Sequence, residues 1–257
     1  MIILKSPAEI NRIAKACEVL QEVFEGVSPL MQPGTPAREV DQFIEDAIRS
    51  RGGRPAFKGY SAGDGKPFPA SSCISIDSEV VHGIPGNRTF KVGQIVGLDI
   101  GVELNGYFGD AARTFLIGDV KPRIKKLVEI TLECLNRGIE AARAGNRLGD
   151  IGCAIQSYAE KHGYGVVREL SGHGVGKKLH EEPQIPNYGF SGRGTVLQKG
   201  MTLAIEPMIN LGSHEVYSAD DGWTVLTRDG KPSAHWEETI AITDGEPLIL
   251  TRSNKVS

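Results

Sequence analysis

Residues 94–117 read QIVGLDIGVELNGYFGDAARTFLI and indicate the architecture of this part of the chain. Two apolar arms flank Asn105-Gly106, a dipeptide typical of two-residue hairpin turns, so the stretch predicts an antiparallel hairpin. Each arm carries an aspartate, Asp99 or Asp110, although aspartate is depleted in strands. Because the two positions are centred close to the predicted turn, we expect their carboxylates to lie near one another. Such a pair repels unless a shared proton or a cation holds it, and the alternative is a hairpin whose aspartates face solvent.

Composition excludes several classes of protein. The chain has 257 residues, of which 40% are hydrophobic and 24% charged, and these values are those of a globular protein rather than a disordered or fibrous one. The formal net charge of −3 shows no excess of basic residues that would bind a polyanion, so we expect no direct nucleic-acid substrate. No apolar run approaches the ~18 residues of a membrane span, so we expect no membrane association. The four cysteines form no C-x-x-C pair, which predicts a reducing, cytoplasmic location without a disulfide scaffold.

The order of predicted elements suggests an internal repeat. A capping box at Ser6-Pro7-Ala8-Glu9 opens the first helix, and Thr35-Pro36 opens the second. Strands follow, then two more helices from about Pro122 and Leu148. Further strands are predicted at 165–168, 201–205, 222–226 and 238–242. The pattern predicts an α+β fold in which a pseudo-twofold repeat of helices packs on an antiparallel sheet, in a single domain over residues 1–257.

Further polar residues interrupt apolar or glycine-rich segments. Glu206 ends the apolar run at 203–205, and Glu237 begins another strand. For each glutamate the alternative is a strand-end charge in water. Three histidines lie beside glycines or in a proline-flanked turn, namely His82, His173 and His180. The remaining histidines, His162, His214 and His235, have no partner suggested by spacing and are predicted to be solvated.

The two aspartates, the two glutamates and one histidine form an oxygen-rich donor set without thiolate. Such a set suits hard or borderline divalent ions such as Mn, Fe(II), Co or Zn. Four carboxylates would overcharge one ion, whereas two ions that share bridging carboxylates balance them. The spacing therefore favours a two-metal hydrolase of unspecified substrate.

Five motifs, in this order and spacing, resemble methionine aminopeptidase, peptidase family M24, in its bacterial type I form without an N-terminal zinc-binding extension. The similarity extends from the first helix to the last strand. The motifs are Val81-His82-Gly83-Ile84-Pro85; Leu98-Asp99-Ile100-Gly101 with Gly109-Asp110-Ala111-Ala112-Arg113-Thr114-Phe115; Gly172-His173-Gly174-Val175-Gly176 with His180-Glu181-Glu182-Pro183; Ile205-Glu206-Pro207-Met208; and Glu237-Glu238-Thr239-Ile240.

The resemblance implies the pita-bread fold, with its helices on a curved antiparallel sheet. It also implies removal of the initiator methionine from nascent proteins whose second residue is small, through attack of metal-activated water on the first peptide bond. Two divalent ions are implied, from among Co, Mn, Fe(II), Zn and Ni. The implied partners are nascent N-termini and the ribosome near its exit tunnel, and the implied state is a monomer.

The resemblance also assigns residues. One ion would be held by Asp99, Asp110 and Glu237, and the other by Asp110, His173, Glu206 and Glu237. Glu206 is the implied proton shuttle, His180 the oxyanion stabiliser and His82 the contact to the scissile amide nitrogen. The expected methionine pocket consists of Tyr60, Phe68, Cys73, Leu179 and Trp223. The stretch 59–69 departs from the family pattern in its length and glycine content.

Two other functions remain open at this point. Proline-specific aminopeptidases and prolidases share the five ligands but usually carry an additional N-terminal domain. A non-enzymatic relative could retain the fold as a binding module, although such relatives lose ligands that are all present here.

Overall fold

A computed structural model describes residues 1–61 and 66–252 of the chain. It contains four α-helices, a short 3₁₀ turn at Ser28–Leu30 and fifteen strands within those residues. The helices are α1 (Pro7–Val27), α2 (Ala37–Ser50), α3 (Pro122–Ala141) and α4 (Leu148–Lys161). The strands are β1 (Arg54–Pro55), β2 (Ser72–Ile76), β3 (Glu79–Val81), β4 (Ile95–Leu104), β5 (Tyr107–Leu116), β6 (Gly165–Val166), β7 (Ser171–Gly174), β8 (Glu181–Pro186), β9 (Thr202–Ile205), β10 (Met208–Asn210), β11 (Val216–Ser218), β12 (Val225–Thr227), β13 (Ser233–His235), β14 (Glu238–Ala241) and β15 (Leu248–Ile249).

The capping box of α1 forms as predicted. The Ser6 side chain accepts from the backbone N–H of Glu9, and the Glu9 carboxylate accepts from the backbone N–H of Ser6. Two of the N–H groups that a helix start leaves unsatisfied are thereby paired. The predicted order, two helices then strands and again two helices then strands, is confirmed.

The hairpin of β4 and β5 turns at Asn105-Gly106, as predicted, and both turn residues have positive φ angles of 52° and 80°. In its register Asp99 lies opposite Ala112 and Asp110 opposite Gly101. The two aspartates are therefore diagonal neighbours on the same face of the hairpin. The expected proximity is confirmed.

Each half of the chain builds its own apolar core. Helices α1 and α2 pack against β2 and β4, where Leu20, Ile44 and Leu98 are fully buried. Helices α3 and α4 pack against the later strands in the same way, around Leu127 and Leu203. All paired strands are antiparallel across four sheets, the largest in the order β15-β14-β9-β7-β8.

The strand predicted at 222–226 is shifted along the chain. Residues 222–224 form a turn instead, because the Asp221 side chain accepts from the backbone N–H groups of Trp223 and Thr224. Such a side-chain-to-backbone turn competes with strand pairing. Strand β12 consequently begins at Val225. Among the described residues no helix is both long and apolar enough to cross a bilayer.

Candidate active site

The two halves of the chain are joined where their strands β5 and β14 meet. Glu237 and Ala112 exchange backbone hydrogen bonds, the Glu237 N–H donating over 3.0 Å. Two residues further along, the Thr239 hydroxyl donates to the Asp110 carbonyl at 2.8 Å and accepts from the Asp110 N–H. These contacts bring the acidic hairpin of the first half against the glutamate strand of the second.

His173 is placed by close packing of β7 between two neighbouring strands. A Cβ atom on Gly172 would lie 2.3 Å from the carbonyl oxygen of Ala204, and one on Gly174 would lie 2.3 Å from that of Glu182. Only glycine permits this approach on both sides of the histidine. The His173 ring bonds through Nδ1 to the Gly174 carbonyl at 2.9 Å. Since a carbonyl only accepts, Nδ1 carries the proton and Nε2 presents a lone pair to the site.

The acidic side chains converge on that lone pair. Nε2 of His173 lies 3.8 Å from Asp110 Oδ2 and 3.6 Å from Glu206 Oε1. Ligand atoms of Asp110, His173 and Glu237 all lie within 4.8 Å of one another. The predicted residues of both halves are thus gathered at one place.

Several oxygens of this group are buried without a partner. Within the described residues, Asp99 Oδ1, Asp110 Oδ1 and Glu237 Oε1 are shielded from solvent and accept no hydrogen bond. Buried polar atoms are normally paired, because an unpaired one costs about 1–3 kcal/mol or more. The donor set, carboxylate oxygens with one neutral imidazole, is that of hard or borderline divalent ions. The residues present therefore fit such ions.

Electrostatics support the same interpretation. Burial raises the pKa of Asp99 to about 8. Burial and then the neighbouring carboxylates raise the pKa values of Asp110, Glu206 and Glu237 well above their usual range. Burial also lowers the pKa of His173 to about 4, so its imidazole is neutral. Like charges this close cannot all ionise unless cations accompany them.

His82 lies at the end of β3 with a φ of 58°, an uncommon conformation for a residue with a side chain. The next residue, Gly83, passes so close to β2 that a Cβ would lie 2.3 Å from the Ile74 carbonyl. This crossing directs the chain at His82 into the cleft, where its ring lies 6.4 Å from that of Trp223. Burial lowers the pKa of His82.

His180 contacts the metal-ligand candidates edge-on. Its ring centroid lies 4.3 Å from that of His173, and its Nδ1 lies 2.8 Å from the Tyr60 hydroxyl. Burial, together with the neighbouring His173 and His82, lowers its pKa to about 3. Tyr60, predicted only as part of the methionine pocket, is therefore also a hydrogen-bond partner of His180.

The residues predicted for the apolar pocket form one cluster beside the carboxylates. The rings of Phe68 and Trp223 meet edge to face at 5.2 Å, and Cys73 lies opposite Asp99 in the sheet register. The cluster contains Phe57, Phe68, Ala70, Cys73 and Leu179, with Ala56, Tyr60, Ile84, Phe108 and Trp223 packed against it. Phe57, which also lines the cleft, was missed, since a phenylalanine in a loop carries no signal that separates a pocket wall from a core. Residues 62–65 of the stretch 59–69 lie outside the described residues.

The prediction that His235 is solvated is wrong. Only 3% of His235 is exposed, and its Nε2 lies 3.7 Å from Glu206 Oε2. Its backbone N–H donates to the Thr114 hydroxyl, which in turn donates to the His235 carbonyl at 2.6 Å. Strand β13 pairs with β10, which begins two residues after Glu206, and this pairing places the His235 ring inside the protein. The sequence signal was the alternation Ser233-Ala234-His235 before Glu237, which resembles a short strand.

The site lies in one cleft of about 950 Å³. The cleft is lined by the five metal-ligand candidates, by His82 and His180, and by six members of the apolar cluster, namely Phe57, Tyr60, Phe68, Cys73, Leu179 and Trp223. The volume is near the upper end of the ~300–1,000 Å³ found for ligand sites.

Comparison with known proteins places this geometry in a family. The model of metallopeptidase family M24 matches residues 11–244. The methionine aminopeptidase of Clostridium perfringens is 48% identical over 98% of this chain and 99% of its own length. The crystal structure of the methionine aminopeptidase from Thermotoga maritima superposes with a TM-score of 0.94 at 43% identity, covering 98% of this chain and all of that one.

The fold is also shared with longer enzymes. The prolidase from Pyrococcus furiosus has a TM-score of 0.79 and 26% identity, and the match covers 98% of this chain but 66% of that one. The architecture is the mixed α/β pita-bread fold expected from the sequence, and the protein is a metal-dependent hydrolase. This chain belongs to metallopeptidase family M24.

Proposed function

We propose that this protein hydrolyses the first peptide bond of polypeptides that begin with methionine and have a small second residue. The observation that carries the proposal is the position of the apolar cluster, which adjoins the unpaired carboxylates in the same cleft. A methionine side chain seated among Phe68, Cys73 and Trp223 leaves its peptide bond near Asp110 and His173. Near-complete alignment with methionine aminopeptidases supports this assignment.

Divalent ions would be held by the five convergent side chains of Asp99, Asp110, His173, Glu206 and Glu237. Asp110 and Glu237 would be central to holding them, because each has a buried oxygen without a partner among the described residues and each offers a ligand atom within 4.8 Å of those of the other and of His173. When bound, such ions supply Lewis-acid polarisation of the scissile carbonyl and lower the pKa of a water molecule.

The chain's own residues move the protons. Glu206 takes up the proton of the attacking water and passes it to the leaving amine. Nε2 of His180 donates a hydrogen bond to the oxygen of the tetrahedral intermediate, and His82 contacts the amide nitrogen through its N–H and assists proton transfer from Glu206 to the leaving amine. Both imidazoles are neutral near pH 7, so each acts through an N–H group rather than a charge.

The setting of this activity follows from the same proposal. The substrates are nascent N-termini, the protein acts in the cytoplasm, and a contact with the ribosome near the exit tunnel brings enzyme and substrate together. We also propose that residues 1–257 act as one catalytic domain and as a monomer, because both halves of the chain contribute side chains to a single site.

The test is release of free methionine from Met-Ala-Ser by EDTA-treated protein that is titrated anaerobically with Mn(II), Fe(II), Co(II) or Zn(II). We expect metal-dependent release, with resistance of Met-Leu-Ser and of Xaa-Pro peptides. Release of the first residue from Xaa-Pro peptides instead would assign a proline-specific activity. No release from any peptide by a folded, metal-loaded protein would favour a binding module.

A matched pair of variants controls the experiment. Asp110→Ala removes a proposed ligand, whereas Asp244→Ala removes an aspartate whose side chain is 78% exposed, pairs with Lys199 and does not line the cleft. Turnover should be lost only in the first variant. Equal turnover in both would show that Asp110 holds no catalytic ion.

A further inference from the structure

The segment Met1–Lys5 is fixed against the loop that carries His180. The Lys5 N–H donates to the Gly200 carbonyl at 2.7 Å, and the Lys5 ammonium donates to Glu181 at 2.7 Å. The two side chains of this ion pair are only 4% and 7% exposed. Because neither charge can return to water without breaking the pair, the segment is held in one place.

Side chains of the segment point in different directions. Ile2 packs against the core of the second half. Met1 and Ile3 instead line the catalytic cleft, although Ile3 remains 54% exposed. Leu4 is 48% exposed as well but does not line the cleft. An exposed, branched apolar residue facing a cleft has apolar surface that an occupant can remove from water.

The position of Met1 and Ile3 in the cleft indicates which part of a bound polypeptide would contact them. In the proposed reaction the methionine side chain fills the apolar cluster and the scissile bond lies at the carboxylates, so the rest of the polypeptide must leave through the open side. Met1 and Ile3 are exposed and belong to the same continuous cleft, together with Leu170. The segment is therefore on the path of residues that follow the cleaved bond.

The charged side chains around the cleft do not favour a substrate residue of either charge. Besides the metal-ligand candidates and the other histidines of the site, five charged side chains line the same cleft, namely Glu169, Lys177, Lys178, Glu181 and Glu182. Glu181 is paired with Lys5, which leaves two basic and two acidic side chains. Opposite charges in equal number give no net attraction for a charged substrate residue. Apolar contact is the remaining discriminating interaction.

We propose that Met1 and Ile3 form an apolar wall that binds side chains of the substrate beyond its second residue and favours apolar ones there. This inference rests on the proposed aminopeptidase function and extends it, because it assigns a preference at positions remote from the bond that is cleaved. The partner is the extended polypeptide substrate itself.

The test compares two peptides of equal length, Met-Ala-Ser-Leu-Leu-amide and Met-Ala-Ser-Ser-Ser-amide, with the Mn(II)-loaded protein. The measured quantity is the ratio of kcat/KM for the first peptide to that for the second. We expect a ratio of about five, because partial burial of leucine side chains is worth ~1 kcal/mol. In Ile3→Ser the ratio should fall towards one, whereas in Ile3→Met it should be retained.

Leu4→Ser is the matched control, since Leu4 is equally exposed and adjacent but faces away from the cleft. Its ratio should equal that of the unmodified protein. The proposal is overturned by a ratio near one in the unmodified protein, by an unchanged ratio in Ile3→Ser, or by an equal fall in Leu4→Ser. Failure of the proposed function gives a different result, because neither peptide would then release methionine.

Discussion

Two adjacent glutamates, Glu237 and Glu238, are buried to the same degree but have opposite surroundings. Glu238 accepts from Arg113 at 3.0 Å and from Arg252 at 2.7 Å, and the Thr251 hydroxyl also donates to it. Glu237, only 2% exposed, keeps Oε1 without a hydrogen-bond partner among the described residues. Because successive residues of an extended chain face opposite sides, one carboxylate enters an ion-pair network and the other enters the cleft.

The difference shows that burial of a carboxylate is by itself no sign of a site. A buried charge with its own arginines contributes to the folded structure, whereas a buried charge beside other carboxylates requires a group that the chain does not supply. The contrast leads to four predictions, ordered from the largest expected effect to the smallest.

Glu237→Gln should lower turnover of Met-Ala-Ser by about 10³-fold or more. Residues that only support a metal ligand already cost ~10–100-fold when they are changed, and Glu237 is a proposed ligand itself. The metal-free variant should be at least as stable as the unmodified metal-free protein, because an unpaired buried carboxyl is removed. Metal stoichiometry, turnover and urea denaturation provide the three readouts. A strong loss of metal-free stability would contradict the contrast with Glu238.

Glu238→Gln should lower the free energy of unfolding by about 3 kcal/mol, because Arg113 and Arg252 lose their shared counter-charge inside the protein. Urea denaturation measures this change. The control is Glu246→Gln, which breaks the pair with Arg143, where the side chains are 76% and 42% exposed. Its effect should stay below ~1 kcal/mol. Equal effects in the two variants would remove the distinction between buried and exposed pairs.

The stability of the metal-free protein should fall as the pH rises from about 5.5 to 8. In the folded state burial raises the pKa of Asp99 to about 8 and those of Asp110 and Glu237 well upward, whereas unfolded carboxyls titrate near ~4. The folded state then binds more protons than the unfolded state over this interval, so the free energy of unfolding falls as the pH rises.

Thermal unfolding of EDTA-treated protein across this pH range measures the slope. Mn(II) should abolish it, and Asp110→Asn should reduce it by removing one titrating group. If stability instead rises with pH over this interval, other groups of the protein already stabilise the ionised carboxylates without a metal ion.

Tyr60→Phe should lower kcat about tenfold and leave KM for Met-Ala-Ser nearly unchanged. If the Tyr60 hydroxyl donates to Nδ1 of His180, the proton of the neutral ring is on Nε2, where it can donate to the developing oxyanion. Nitrogen NMR shifts of His180 report the tautomer independently of turnover. Tyr158→Phe is the control, since Tyr158 contacts the exposed His162 instead. If the His180 tautomer and kcat are both unchanged in Tyr60→Phe, Tyr60 contributes only to the wall of the apolar pocket.

Most of the fold could be predicted from local patterns. The capping box at Ser6, the turn at Asn105-Gly106 and the helical spacing in α1–α4 are short-range signals, and each was confirmed. The short strands β7, β8, β10 and β13 were not predicted. They consist of three to six residues and are stabilised by pairing with a neighbouring strand, so their own sequence carries little periodicity.

For the site, the sequence predicted the residues that the structure brings together but not all of their neighbours. Asp99 and Asp110 were identified because aspartate is unusual in a strand. His235 was assigned to solvent, since the three-residue alternation Ser233-Ala234-His235 is too short a signal to predict a strand that pairs with β10. Tyr60 was expected only in the apolar pocket, because a hydrogen bond across 120 positions of sequence leaves no local trace.

The sequence by itself determined the helices, the hairpin turn and the chemical types of the donor atoms, because propensity, turn chemistry and the choice of Asp, Glu or His are properties of single residues and their near neighbours. Only the tertiary structure decided which carboxylates lack partners. Glu237 and Glu238 are adjacent and chemically identical, and their difference arises from Arg113 and Arg252, which are distant in the chain. Pairing inside a protein depends on long-range contacts, and those form only when the two halves of the chain meet.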